Sequence, residues 1–359
     1  MNYLDDFTLF GNYEKASSFI DGLKKGNFLF SFVISYTKTC EIPGLTLAGE
    51  NTELLKFTPP ADAEYLYYGS CKTVKKIPMT PDGKPTPALL TKSALESSSI
   101  PHIVVNAGSM ISPKLPYMSS EMTHGMDISK EPAMSDSQVY GAMDYGRIVG
   151  RTLASLTDCL VIGESIPGGT TTALAVLRGL GFKARVSSSM PENPVALKNR
   201  IVNTALERLS SSDPYEVVAK VGDPMLAFVT GMLSSASMTT KVMLAGGTQM
   251  AAVLGLGSKL GFNEKNTILG TTSYILDDQS ANLKNLISEI SDIPAIAVNP
   301  GLEDSTFPGL KAYSEGFVKE GVGAGGAIIS SMIKSGYGSG YFMDIVQKEY
   351  NRVYSLDRH

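Results

Sequence analysis

The residues that invite chemistry lie in three glycine-rich stretches of a 359-residue chain. The first runs Gly163-Glu164-Ser165-Ile166-Pro167-Gly168-Gly169-Thr170-Thr171-Thr172, after an apolar run and before a helical pattern. Glycine lets a backbone turn tightly and approach a ligand. The first turn of a helix then offers unpaired N–H groups and a positive dipole end to an anion. The hydroxyls of Thr170, Thr171 and Thr172 add donors. The spacing resembles a P-loop, but Gly169 stands where the P-loop lysine would be, so a compact monophosphate fits better than a magnesium-bound triphosphate. A plain strand-to-helix turn with a threonine cap accounts for the same residues without any ligand.

The second stretch, Gly246-Gly247-Thr248-Gln249, repeats the device after another apolar run. Two such turns on one parallel sheet would flank a single crevice. The third is Glu315-Gly316-Phe317-Val318-Lys319-Glu320-Gly321-Val322-Gly323-Ala324-Gly325-Gly326. Glycines around a carboxylate bring the backbone close and reduce its solvation, which raises the pKa toward that of a general base. Lys319 beside Glu320 would oppose that rise, and a solvated first-turn acid is the competing reading. Lys198 and Arg200, at the start of a helical pattern, would either reach a phosphate or simply face solvent. Glu121, His124 and Asp127 share one segment, but their spacing matches no zinc pattern, so no metal and no cofactor are expected.

The elements that must position these residues follow from the apolar runs. Leu29–Ser35, Ile103–Asn106, Cys159–Gly163, Val242–Ala245, Thr267–Leu269 and Ile293–Val298 read as strands. Most lack alternation, as strands buried on both faces of a parallel sheet do. Helical spacing falls at Thr171–Leu180, Pro194–Leu209 and Thr248–Leu260. Strand, glycine turn and helix in succession predict an α/β fold with a doubly wound, mostly parallel sheet, which binds ligands at the carboxyl ends of its strands. Residues 28–327 would form this nucleotide-binding domain. Residues 1–27 read as a short amphipathic helix and 328–354 as helix around a break at Gly336–Gly340, so 1–27 and 328–359 would make a small helical domain. Residues 72–92 read as a loop, and 107–147 as a long segment of little periodicity.

Composition bounds the rest. Hydrophobic residues at 43% and charged residues at 18% describe a globular chain, and a net charge of -4 gives no broad footprint for nucleic acid. Cys40, Cys71 and Cys159 are widely spaced and odd in number, which points to a reducing, cytoplasmic setting rather than a disulfide framework. The acidic N-terminus lacks a signal-peptide pattern, and the longest uncharged runs are too interrupted to span a membrane.

Taken in order, the three stretches resemble the nicotinate-nucleotide:dimethylbenzimidazole phosphoribosyltransferase family of cobamide assembly, and its archaeal branch in particular. The family's Gly-Glu-Met-Gly-Ile-Gly-Asn-Thr-Thr turn is echoed by Gly163 to Thr171. Its later Gly-Gly turn is echoed by Gly246-Gly247, and its Arg-Leu-Gly-Glu-Gly-Thr-Gly-Ala motif by Phe317 to Ala324. The likeness spans roughly residues 100–330. It implies that Glu320 is the catalytic base and that Glu164, Gly168, Thr170 and Thr171 belong to the nucleotide-binding turn, to which the residues themselves add Gly169 and Thr172. It also implies that Lys198 or Arg200 is the basic residue near the phosphate. Nicotinate mononucleotide and an aromatic base would be the substrates, and a homodimer the assembly. Phe317, Lys319, Val322 and Gly169 depart from the family's arginine, glycine, threonine and asparagine, and these departures bear on substrate detail. Another base-exchange or phosphorylase-like enzyme, or a non-catalytic nucleotide binder, would share the turn and the carboxylate.

Overall fold

The structure, a computed structural model, describes residues 3–47, 51–80 and 84–356. Its strands are β1 (Phe7–Gly11), β2 (Phe28–Ile34), β3 (His102–Asn106), β4 (Met118–Ser119), β5 (Cys159–Ser165), β6 (Lys241–Ala245), β7 (Thr267–Thr272) and β8 (Pro294–Val298). They form one sheet in the order β1-β8-β7-β6-β5-β2-β3-β4. All pairings are parallel except β1 with β8. The six expected strands are all present. From β2 the chain steps one way to β3 and β4, then crosses back to β5 and on through β6, β7 and β8. The direction reverses between β2 and β5, and in open α/β sheets the crevice at such a switch point receives the ligand.

The helices are α1 (Tyr13–Asp21), α2 (Thr58–Tyr68), α3 (Ala88–Ser97), α4 (Asp136–Ala154), α5 (Gly169–Gly179), α6 (Val195–Leu206) and α7 (Pro214–Val221). They continue as α8 (Pro224–Ala236), α9 (Thr248–Leu260), α10 (Ser273–Leu276), α11 (Leu283–Ile290), α12 (Pro308–Lys311), α13 (Ala324–Ser335) and α14 (Ser339–Leu356). Alternate side chains of each strand enter two cores. Phe28, Phe30 and Phe32 of β2 meet apolar residues of α1, α2, α3, α13 and α14 on one face. Leu160 and Ile162 of β5 meet those of α4 to α9 and α11 on the other. Each buried phenylalanine contributes roughly 2 kcal/mol from removal of its surface from water.

Three segments differ from expectation. Residues 1–27 supply α1 but also the edge strand β1, in which Phe7 and Leu9 face one core and Phe10 the other. That alternation spans only five residues, too few to be told from one helical turn. Within 107–147, α4 begins at Asp136 behind a capping box of Ser135 and Gln138. Residues 72–92 hold a bridge between Met79 and Pro85 and then the start of α3 at Ala88. The expected break near Gly336 is present: Gly336 ends α13 in the left-handed region, and α14 starts three residues on.

α13 lies directly on the sheet, and its glycines permit this. A Cβ on Gly325 would sit 2.1 Å from the Thr271 carbonyl carbon, and one on Gly326 2.4 Å from Ala245 Cβ. The third glycine-rich stretch is therefore first a packing device. It brings the amino end of α13 against the ends of β6 and β7.

Candidate active site

One cleft opens over the carboxyl ends of β5, β6 and β7, with about 870 Å³ of non-atom space, open solvent included. It is walled by the turn into α5, the turn into α9, the Ser187–Ser189 run, Ile275 of α10, the loop from Val318 to Val322, and an N-terminal wall that includes Asp62 of α2, Lys84 and Thr86.

Glu320 sits in the Val318–Val322 loop, just ahead of α13. Its Oε2 accepts from the Thr272 N–H at 2.9 Å, and its Oε1 from the N–H groups of Gly321 at 3.1 Å and Gly325 at 3.2 Å. The Thr271 hydroxyl adds a longer contact at 3.4 Å. Burial pushes this carboxyl up to about 7, against the opposing pull of those backbone donors. It is not a solvated first-turn acid. Lys319 does not oppose the rise as expected, because its side chain points the other way. Its Nζ donates to Gly316 O at 3.0 Å and Met190 O at 3.1 Å and pairs with Asp278 at 3.4 Å. Val318 and Val322 flank Glu320 at φ 44° and 53°. A β-branched residue in the left-handed region is strained, and such strain persists only where neighbours over-determine it. Here the Val318 N–H donates to Ser189 O at 3.0 Å, and the Thr91 hydroxyl donates to Val322 O at 2.9 Å.

Glu164, at the end of β5, is 4% exposed and lines the cleft. Burial raises its carboxyl to about 8, with added repulsion from Asp223, Glu320 and Asp62. Asp62 is likewise raised by burial, to about 7, while accepting from the hydroxyls of Thr86 at 2.7 Å and Ser165 at 2.8 Å. Asp223 caps α8, and burial raises it to about 6.

In the turn into α5, Gly168 has φ 76°, and a Cβ there would lie 2.8 Å from Cys40 Cβ. Gly168, Gly169 and Thr170 line the cleft. Thr171 and Thr172 do not: both are fully buried, and the Thr172 hydroxyl donates to Asp223 Oδ2 at 2.5 Å. In the turn into α9, Gly247, Thr248 and Gln249 line the cleft, whereas Gly246 lies behind it with its nearest neighbour Met250. Neither expected basic residue lines it. Lys198 is 1% exposed and donates to Ser187 O at 2.7 Å behind the wall, and burial lowers it to about 7. Arg200 is exposed in a separate depression beside Lys38 and Lys130. Two residues apart on a helix, their side chains leave on nearly opposite sides, so one cannot substitute for the other.

Sequence reasoning missed Asp62, Lys84, Ser187, Ser188 and Ser189. Lys84 is the basic side chain among the described lining residues, with its Nζ 3.6 Å from the Phe317 ring centroid. The serine run after α5 was visible as three adjacent hydroxyls. Among the described residues no cluster of His, Cys, Asp and Glu is arranged to hold a metal ion, and no helix is long and apolar enough to cross a membrane.

A UPF0284 protein of Archaeoglobus fulgidus is 49% identical over 331 residues, 92% of this chain and 95% of its own. The chain belongs to the UPF0284 family. A second member, from Sulfurisphaera tokodaii, is 43% identical over 328 residues, covering 90% of this chain and 93% of its own. Residues 96–266, from β3 to β6, match a family model described as phosphoribosyltransferase. CobT from Thermus thermophilus has the same fold, with a TM-score of 0.62 at 15% identity over 96% of this chain and 94% of its own. The nicotinate-nucleotide-dimethylbenzimidazole phosphoribosyltransferase structure from that organism superposes with a TM-score of 0.58 at 17% identity, covering 86% and 83%.

Proposed function

We propose that this protein transfers the ribose 5-phosphate of nicotinate mononucleotide to a benzimidazole-like base, giving an α-ribotide for the lower ligand of a cobamide. The observation that carries the proposal is Glu320, a carboxyl held by backbone N–H groups in the cleft and raised to about 7. The phosphoribosyltransferase domain match and the two CobT-type folds support the same reading.

In the reaction, the 5-phosphate lies at Gly168, Gly169 and Thr170, with Lys84 as the cation of the cleft. Glu320 takes the proton from one ring nitrogen of the acceptor. The lone pair of the other ring nitrogen forms a bond to C1′ of the ribose. The C1′–N bond to the pyridinium breaks on the opposite face, and its electron pair leaves with nicotinate. The leaving nitrogen is cationic in the donor, so departure neutralises it. A base near pKa 7 is half ionised at neutral pH and still strong enough to accept the proton. Positioning of the two reactants supplies a further large part of the rate. A homodimer and a cytoplasmic setting belong to the same reading.

Glu320→Gln keeps the size and the hydrogen bonds to one oxygen, but its NH₂ cannot accept from the N–H groups that face the other, and it cannot take a proton. Its kcat is expected to fall about 10²- to 10⁴-fold with nucleotide affinity nearly intact. Loss of nucleotide binding instead would make Glu320 a structural residue.

A further inference from the structure

Behind the cleft, three loops meet around one buried ammonium. Lys319 is 6% exposed, and its Nζ lies within reach of Gly316 O at 3.0 Å, Met190 O at 3.1 Å and Asp278 Oδ2 at 3.4 Å. Three acceptors match the three donors of an ammonium. Asp278 is itself tightly held. Its Oδ2 also accepts from the Ser187 hydroxyl at 2.5 Å, and its Oδ1 from the Ser280 N–H at 2.9 Å and the Ser280 hydroxyl at 2.5 Å. Burial would raise this carboxyl, but those donors and the Lys319 charge hold it below the usual carboxylate range. Lys198 closes the far side by donating to Ser187 O. The main chain is held as well. The Val318 N–H donates to Ser189 O at 3.0 Å, and the Thr272 hydroxyl donates to Lys319 O at 2.7 Å.

We propose that Lys319 is a positioning residue for Glu320: clamped to Gly316, Met190 and Asp278, it fixes the loop that presents the Glu320 carboxylate to the cleft. The proposal rests on the reading of Glu320 as the base. Lys319 and Glu320 are adjacent, with Cα atoms about 3.8 Å apart, so a displacement of one is passed to the other. Thr272 ties them together, because its hydroxyl holds the Lys319 carbonyl while its N–H holds Glu320 Oε2. The loop also needs a restraint. Gly316, Val318, Gly321, Val322 and Gly323 all have positive φ, and the two valines are strained there. Such a backbone keeps its shape only where its surroundings over-determine it. A buried ion pair is a weak source of stability, and its better-attested use is to specify one arrangement. Lys319 is also a position at which the chain departs from the motif it resembles, so the clamp is a feature of this chain.

The test reads Glu320 directly. In the full chain, isotope-labelled at the glutamate carboxyl carbons, the Glu320 NMR signal is identified by its loss in Glu320→Gln and followed through pH. Glu164 is the ionisable group coupled to Glu320 across the cleft, and Lys198, Asp278 and Lys319 lie on the other side. The wild-type signal is expected to titrate near 7. Lys319→Met keeps the length but removes the charge and the donors. Water then reaches Glu320, and its midpoint should fall by about one unit toward the ordinary carboxylate value. With nicotinate mononucleotide and a benzimidazole, kcat should fall about 10- to 100-fold while KM for the nucleotide stays within about twofold. Asp278→Asn keeps the shape, should move both readings the same way by a smaller amount, and carries the test if Lys319→Met does not fold. A Glu320 midpoint that stays or rises in the folded variants, or a loss confined to KM, would overturn the proposal. The reading of Glu320 as the base fails separately, if the wild type forms no ribotide or Glu320→Gln turns over undiminished, and the carboxyl titration still reports whether Lys319 positions it.

Discussion

The two glycine turns look alike in sequence and spend their donors differently. In the turn into α5, the Gly169 N–H donates to Ile166 O and the Thr171 N–H to Gly168 O, both at about 3 Å, and the Thr172 hydroxyl is tied to Asp223. Part of its hydrogen-bonding capacity goes into holding its own shape, although the buried Thr171 hydroxyl, like that of Thr248 in the other turn, has no partner among the described residues. In the turn into α9 the first three N–H groups and the Thr248 hydroxyl remain free. A motif therefore specifies a turn and a helix start, but not which donors are left for a ligand. That depends on what packs behind the turn: Cys40 and Asp223 in one case, Ile275 in the other.

The largest expected effect separates the α5 side through its acids. Asp62, Glu164, Asp223 and Glu320 are all raised by burial, to between about 6 and about 8. At these four sites the folded state binds more protons than the unfolded chain above pH 4, so their contribution to stability is full at low pH and is lost as pH rises through these values, while the lowered carboxyls of Asp127, Glu216, Asp278, Asp292 and Glu349 act in the opposite sense below about pH 5. His102, which burial lowers, opposes this as a single group. The thermal midpoint of the ligand-free protein is expected to drop between pH 5 and pH 7. Glu164→Gln should flatten the slope, and a midpoint rising over that range would contradict the assignment.

Gly168→Ala comes next. The new Cβ meets Cys40 at 2.8 Å in a backbone with φ 76°, so urea unfolding should show a loss of roughly 2–4 kcal/mol. Thr172→Val removes a hydrogen bond from a buried carboxyl and should cost about 1–3 kcal/mol with little change in nucleotide affinity. Gly247→Ala should be the mildest. The added Cβ would meet nothing nearer than Ile275 at 3.6 Å, but φ -102° with ψ -125° lies outside the regions open to an L residue, so a cost of about 1–2 kcal/mol is expected by the same measurement. Equal losses for Gly168→Ala and Gly247→Ala would erase the distinction between the turns.

The parallel sheet was legible because β5, β6 and β8 are continuous apolar runs, a pattern tied to burial on both faces. β1 was not, since five residues carry too little periodicity. α4 was hidden by the Met, Pro and Gly of the segment before it, although Ser135 and Gln138 form a readable capping box. Glu320, Glu164 and Gly168 could be read because glycines beside a carboxylate or a strand end are unusual. Asp62 and Lys84 could not. Asp62 meets Ser165 across 103 residues of chain, a contact that only the folded sheet creates. Lys198 and Arg200 stand as alternatives in the sequence, and the helix directs one into the wall and the other to solvent.

The central question is whether a ribose phosphate changes partners in this cleft. The direct measurement is a product assay by chromatography and mass, with purified protein, nicotinate mononucleotide and a panel of aromatic bases, beside the Glu320→Gln variant. An α-ribotide and an equal amount of released nicotinate are expected from the wild type, and almost none from the variant. No ribotide with any base, or undiminished turnover by Glu320→Gln, would contradict the proposed reaction.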